Sequence, residues 1–244
     1  MSFIISTIKI IFLLGFLIFI HEGGHFLVAK LCKVKVNEFA IGFGPVIWKK
    51  QGVETKYALR LIPLGGFVSM EGEDEESESE RSFDKASVLK RIAIVSAGAI
   101  VNIIFGILIF FMVLSISYRD ISIGIEYTRV FLGSTFESIK MIFTGNVSIN
   151  SFTGPIGISE AVASTSGILD YIYMMSIISV SLGVTNLLPI PALDGGKIVI
   201  LLIEAIRRKP INKELELKIQ LLGLSFLIVL AMYITYYDVL KLIN

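Results

Sequence analysis

Four stretches of the chain are apolar over about twenty residues, the length that crosses a hydrocarbon core of about 30 Å. The first occupies residues 1–33 and ends "FLIFIHEGGHFLVAKLCK"; the second, 91–118, contains "IAIVSAGAIVNIIFGILIFFMVLSIS"; the fourth, 210–244, contains "IQLLGLSFLIVLAMYITYY". The third, 171–209, is apolar from 171 to 188 and again from 198 to 206, with "PIP" between them at 189–191. Proline lacks the amide donor and clashes with the preceding turn, so this span is expected to be a broken helix. A break at membrane depth survives only where protein or a water-filled cavity surrounds the freed backbone. Between the first two spans, residues 34–70 alternate apolar and polar positions with Gly and Pro punctuation, which predicts two or three β-strands. Residues 71–90 are an acidic loop and helix lead-in. Their opening "EGEDEESESE" has seven acids and no base, a solvated and mobile composition. In the segment 119–170, Leu132, Phe136, Ile139 and Phe143 share one helical face, predicting an interfacial amphipathic helix, and the turn-rich "TGPIG" follows at 153–157.

Composition supports the membrane reading. The 244 residues are 54% hydrophobic with a mean hydropathy of +0.79, well above an ordinary soluble domain. Lys9 ahead of an apolar run could mark a cleaved signal peptide, but the run continues to about Leu31 without a small-x-small site. Cleavage there would also detach the two histidines, so the segment is expected to be retained. Basic residues are dense between Lys30 and Arg91 and between Arg207 and Lys218, and sparse from Arg119 to Lys140. By the positive-inside rule the first two regions are cytoplasmic and both termini lie outside. A net charge of +1 leaves no basic excess to neutralise phosphates, so no nucleic acid is expected. Cys32 is the one cysteine and cannot form an internal disulfide.

The chemistry sits at the end of the first span. Residues four apart on a helix share a face, so His21 and His25, the protein's two histidines, can both offer ring nitrogens to one zinc ion. Glu22 lies about 100° round the helix, within reach of a water on the metal without being a ligand. Gly23 and Gly24 leave room for a substrate backbone or a neighbouring helix. A catalytic zinc takes a third protein ligand and keeps one position for water. Asp194 is the candidate by elimination: Glu204 lies farther toward the basic cluster, Asp170 and Asp238 lie near the opposite face, and the other carboxylates are in loops. Its distance from Arg207 also matches the depth of His21, roughly 13–18 Å at 1.5 Å per residue.

These residues resemble those of the bacterial site-2 proteases, intramembrane zinc metalloproteases of regulated intramembrane proteolysis. "HEGGH" is similar to the family's H-E-x-x-H, and "NLLPIPALDGG" (186–196) to its N-x-x-P-x-P-x-L-D-G-G. "GFGP" (42–45), "RLIPLGGFVSMEGE" (60–73), "RSFDKASVLKRIAIVSAGAIVN" (81–102) and "TGPIGI" (153–158) extend the likeness over nearly the whole chain in family order. The resemblance implies an all-α polytopic membrane protein of about four transmembrane helices, with a small membrane-associated β-region at 34–70 in the first cytoplasmic loop. It implies zinc held by His21, His25 and Asp194, with Glu22 as general base. Asn186 would bind substrate backbone or the developing oxyanion, Gly65 and Gly66 of the β-region would contact substrate, and Pro189 and Pro191 would shape the kink that presents Asp194. Asn102 falls at a recurring family position, and a helix-to-helix hydrogen bond is its expected role. Relatives usually insert PDZ domains between the second and third spans, and residues 119–170 leave no room for one.

The expected activity is therefore hydrolysis of a peptide bond within or next to a transmembrane segment of a single-span substrate such as an anti-sigma factor or a signal-peptide remnant. Zinc lowers the pKa of its water to about 7 and polarises the scissile carbonyl, while Glu22 moves the proton. The enzyme would be a multi-pass protein of the inner (plasma) membrane, in contact with the lipid bilayer, its site toward the cytoplasm. The sequence sets no oligomeric state. Two other readings stand beside it: a zinc transporter or channel, since buried His and Asp also serve ion paths, and a non-catalytic membrane scaffold that keeps zinc for folding.

Overall fold

The computed structural model describes residues 2–73, 75, 77–145 and 153–243. In chain order they form helix α1 (Ser2–Leu31), strands β1 (Val36–Gln51) and β2 (Lys56–Met70), and helices α2 (Val88–Tyr118), α3 (Ile121–Thr144), α4 (Pro155–Ala163), α5 (Ile168–Asn186), α6 (Asp194–Arg207) and α7 (Lys213–Ile243). Four of these, α1, α2, α5 and α7, are long and apolar enough to cross a membrane. Their large apolar side chains face outward, as at Phe12, Leu108 and Leu222, which only a lipid surround makes favourable over such lengths. The protein is a multi-pass membrane protein.

The chain divides into two compact units, residues 11–103 with 181–224, and residues 1–10 with 104–180 and 225–244. In the first unit, the expected β-region consists of two long strands. They pair antiparallel, with Val36 opposite Met70, Ala40 opposite Phe67 and Gln51 opposite Lys56. The beginning of β1 lies between the two halves of β2, because residues 38–41 also neighbour 56–59. The bend needed for this falls in "GFGP": Gly42 has φ 90°, and a Cβ there would meet the Ile62 carbonyl at 2.7 Å, which explains glycine at that position. Phe43, Ile47, Trp48 and Leu61 of the sheet are exposed, an apolar patch suited to lipid contact.

Beneath the sheet, Ala29, Val34, Val36, Val68, Met70, Phe83, Ile94, Val95 and Leu201 form one buried core, with Cys32 packed against it. The acidic segment departs from expectation. Glu71 pairs with Lys35 at 3.1 Å and receives the Ser77 hydroxyl at 2.7 Å, Glu73 pairs with Lys197 of α6, and the Phe83 amide donates to the Glu71 carbonyl at 2.7 Å. The Ser77 hydroxyl, followed by Lys35 and Asn37, holds the Glu71 carboxyl down at about 2. Basic partners distant in sequence thus tie down the start of the segment; Asp74 and Glu76 lie outside the described residues.

In the second unit, Arg119 adopts φ 53° and stops α2. Asp120 then caps α3 by accepting from the Ser122 amide at 2.8 Å, so the helix starts ten residues before the amphipathic stretch predicted at 131–143. Phe110 of α2 stacks on Phe131 of α3 with ring centroids 4.4 Å apart. "TGPIG" forms the start of α4 with Pro155 in its first turn. The amides of Gly154 and Gly157 donate to Asp238 of α7 at 3.3 and 3.0 Å, so this carboxylate, 5% exposed, supplies the cap that glycine cannot. Asp238→Ala is expected to lower stability by about 1–3 kcal/mol, the cost of stranding buried donors. Thermal unfolding in detergent reads this directly; an unchanged midpoint would refute the capping role.

Candidate active site

The first unit brings the chemistry-bearing residues together. Along α1, His21 and His25 stand one turn apart with ring centroids at 4.8 Å and planes nearly perpendicular, and their Nε2 atoms are 3.2 Å apart. Asp194, at the first position of α6, places Oδ2 at 3.2 Å from His21 Nε2 and 3.5 Å from His25 Nε2. A carboxylate in a first helical turn is favoured by the helix dipole. Close approach of backbone to backbone holds α6 there. A Cβ on Gly195 would strike the carbonyls of Leu187 and Leu188, and one on Gly196 would strike Ile190 and Pro191. "DGG" therefore lets residues 187–191 fold over the first turn of α6. Ala192 at φ 73° completes the turn, its amide donating to Gln220 of α7.

Gly23 and Gly24 have different roles. A Cβ on Gly24 would meet the Ala97 carbonyl of α2 at 2.7 Å, whereas nothing lies within 4 Å of one on Gly23. Gly24 thus admits the neighbouring helix, and Gly23 faces open space. The same close crossing puts Gly98 against the His25 ring and lets His25 Nδ1 donate to the Ile94 carbonyl at 2.8 Å. With its proton on Nδ1, His25 presents a lone pair at Nε2.

These atoms suit a cation. Two imidazole nitrogens and a carboxylate oxygen converge within 3.5 Å, and Asp194 Oδ2, buried, finds no hydrogen bond of good geometry despite both rings. With both rings protonated on Nδ1, such a group of acceptors is unfavourable unless a positive charge lies among them. Ligand bonds of 2.0–2.2 Å to a tetrahedral zinc require the ligand atoms to be about 3.3–3.6 Å apart, close to the separations found. His21, His25 and Asp194 could therefore hold zinc with little movement.

Around them, Asn102, fully buried, lies with Nδ2 at 3.4 Å from His21 Nδ1. In that orientation the ring proton sits on Nε2; a half-turn of the amide lets Nδ1–H donate to Oδ1 and leaves Nε2 a lone pair. The residue does join two helices, as expected of it, but its partner is one of the paired histidines. Asn102→Leu is expected to weaken zinc binding roughly 10- to 100-fold, read by competition with a chromophoric chelator. Unaltered affinity would leave Asn102 with a packing role only.

Glu22 is half-buried, close enough to His25, His21, Asp194 and Glu73 to feel their charges. Gly66 of β2 abuts it: a Cβ there would meet Glu22 Cγ at 2.8 Å and the Ala40 carbonyl at 3.0 Å. Gly65, at φ 111°, packs against the Phe43 ring instead. Asn186 closes α5 with its amide donating to Leu182 at 2.9 Å, turned back on its own helix. A pocket of about 600 Å³ opens at Asp194, lined also by Glu73, Lys197, Lys213, Glu216 and Gln220. The Ile94 carbonyl and the Gly98 crossing had no distinct sequence signal, since neither a main-chain acceptor nor a helix contact is written in residue type.

Apolar crossing helices with a two-histidine, one-carboxylate cluster beside a further glutamate define a membrane metalloprotease class. The profile of peptidase family M50 matches residues 9–230, and the chain belongs to that family, the site-2 proteases, as a membrane zinc metalloprotease. It is 29% identical to a candidate zinc metalloprotease of Fusobacterium nucleatum over the whole of both chains. It is 25% identical to the zinc metalloprotease RasP of Bacillus licheniformis, covering 97% of this chain and 99% of that one. With the regulator of sigma-W protease RasP of Bacillus subtilis the identity is 24%, over 98% and 99%. The first alignment runs to 344 positions against 244 residues here, so that relative carries about a hundred residues without counterpart.

Proposed function

We propose that the protein hydrolyses peptide bonds within or next to transmembrane segments of single-span membrane proteins, with His21, His25 and Asp194 holding zinc and Glu22 as the general base. The observation that carries this reading is the convergence of the three ligand atoms at zinc-like separations, with a half-buried carboxylate one residue from His21. When bound, zinc supplies Lewis acidity, bringing a water's pKa to about 7 and polarising a carbonyl. Glu22 accepts the proton of the attacking water and returns it to the leaving amine. Ile94 and Asn102 orient the two imidazoles.

Substrate would lie along β2. A peptide bond inside a helix is shielded, so an extended backbone has to be presented. The 66–70 half of β2 pairs on one side with β1, and its other edge pairs with no strand among the described residues. Gly66 brings this strand against Glu22, with Gly65 beside it. Asn186 could turn from Leu182 to bind substrate backbone or the oxyanion. Water would enter through the polar pocket at Asp194. By the charge of its loops the site opens to the cytoplasm of a cell whose plasma membrane holds the protein, with both termini outside. Anti-sigma factors and signal-peptide remnants are the substrate classes that the family resemblance favours, and the B. subtilis relative is itself named a regulator of sigma-W. Residues 119–170 hold α3 and α4, and selection by a PDZ domain between the second and third spans has no place in this scheme.

The test is cleavage of single-span substrates by the purified protein in detergent before and after chelation. Activity should vanish with chelator and return with zinc; cleavage that survives complete zinc removal would overturn the assignment.

A further inference from the structure

A second cavity in the same unit, about 1120 Å³, is formed where α2 and α7 begin and α6 ends. Because α2 and α7 cross the membrane, their first turns mark a membrane–water boundary. Six cations and four carboxylates line this space. Most are engaged. Arg91 holds Glu204 at 2.8 Å, Lys197 holds Glu73, Lys213 donates to the Gly72 carbonyl at 3.2 Å, and Lys85 donates to the Glu78 carbonyl. Arg208 and Lys209 remain, exposed and with no carboxylate at ion-pair distance among the described residues.

The backbone holds these two cations at the cavity. Arg208 follows α6 at φ 55° and ψ 27°, the left-handed position where glycine is the usual helix stop. An arginine there carries a backbone cost that stopping the helix does not require. Glu204 pins the turn from inside by accepting the Ile211 amide at 2.8 Å. Phe83, Val88, Leu201 and Pro210 give the cavity an apolar wall.

We propose that this cavity binds the phosphate of an anionic phospholipid headgroup, Arg208 and Lys209 being its cationic contacts and the apolar wall meeting the upper acyl chain. Location and chemistry favour lipid over peptide. The cytoplasmic flank of a spanning substrate is rich in Lys and Arg and would be repelled, whereas basic pockets between helices at this level attract headgroups. A bound lipid would brace the end of α6, the helix whose first residue is Asp194.

The full chain, delipidated in neutral detergent, is titrated with phosphatidylglycerol or phosphatidylcholine, and bound lipid is counted by native mass spectrometry. Phosphatidylglycerol should be retained preferentially. The Arg208→Gln, Lys209→Gln double variant should bind it roughly thirtyfold more weakly, the effect of two membrane-proximal cations. Arg207→Gln, exposed and outside the cavity, should bind as the parent does. Equal retention of the two lipids, an unaffected double variant, or an equal loss in Arg207→Gln would overturn the site. Displacement of the lipid by millimolar inorganic phosphate would overturn the lipid assignment in favour of free phosphate. If the double variant does not fold, Lys209→Gln alone should cost roughly fivefold, and no change there counts against the site. The readout is lipid mass, so failure of the protease reading leaves this result intact.

Discussion

Glu22→Gln is expected to remove cleavage while zinc stays bound. Glutamine keeps the shape of the side chain beside Gly66 and His25 but cannot take a proton from water at neutral pH. General-base catalysis contributes roughly 10²- to 10⁴-fold, so turnover should fall by at least that range. The side chain is no part of the proposed ligand set, His21, His25 and Asp194, so zinc content after dialysis should equal that of the parent. Cleavage of a single-span substrate and metal analysis on one preparation decide the matter. Undiminished turnover would sink the proposed mechanism. Lost turnover together with lost zinc would show that Glu22 serves the metal rather than the proton.

Asp194→Ala is expected to release the metal. Among the described residues, the carboxylate is the one negative charge within 3.5 Å of both imidazole Nε2 atoms, and it arrives from a different helix. Without it, two neutral ligands would have to hold a dication. The loss should exceed the roughly 100-fold upper range for removing an outer-shell partner, with activity falling in step. Asp194→Asn separates charge from shape, because it keeps the side-chain volume and gives up the anion. Zinc titration of both variants, with thermal unfolding to verify the fold, is the measurement. Zinc affinity unchanged in Asp194→Ala would require a different third ligand.

The two variants test different kinds of information. His21 and His25 share a face because their spacing is close to one helical turn, and any helix through residues 16–30 would put them there. The apolar runs likewise announced α1, α2 and α7, since a bilayer asks little beyond length and hydrophobicity. The proline break between 186 and 194 was legible for the same local reason. The acidic segment was not. Its composition spoke for solvation, yet Lys35 and Lys197 engage Glu71 and Glu73, and partners 36 and 124 residues away leave no mark in a local window. Nor was the start of α3 legible at 131–143, because Asp120 sets it by capping, ahead of the amphipathic stretch.

By itself, then, the sequence determined which segments are apolar enough to cross a membrane, where the third is interrupted, and that two histidines and a glutamate share one helical turn. Each is a property of neighbours along the chain. Tertiary structure alone decided that Asp194 meets both histidines, that Ile94 and Asn102 meet their Nδ1 atoms, and that Gly66 carries a strand to Glu22. Those distances depend on how closely backbones pack. Gly24, Gly66, Gly98, Gly195 and Gly196 permit the approach, because each is a place where a single Cβ would hold the elements apart.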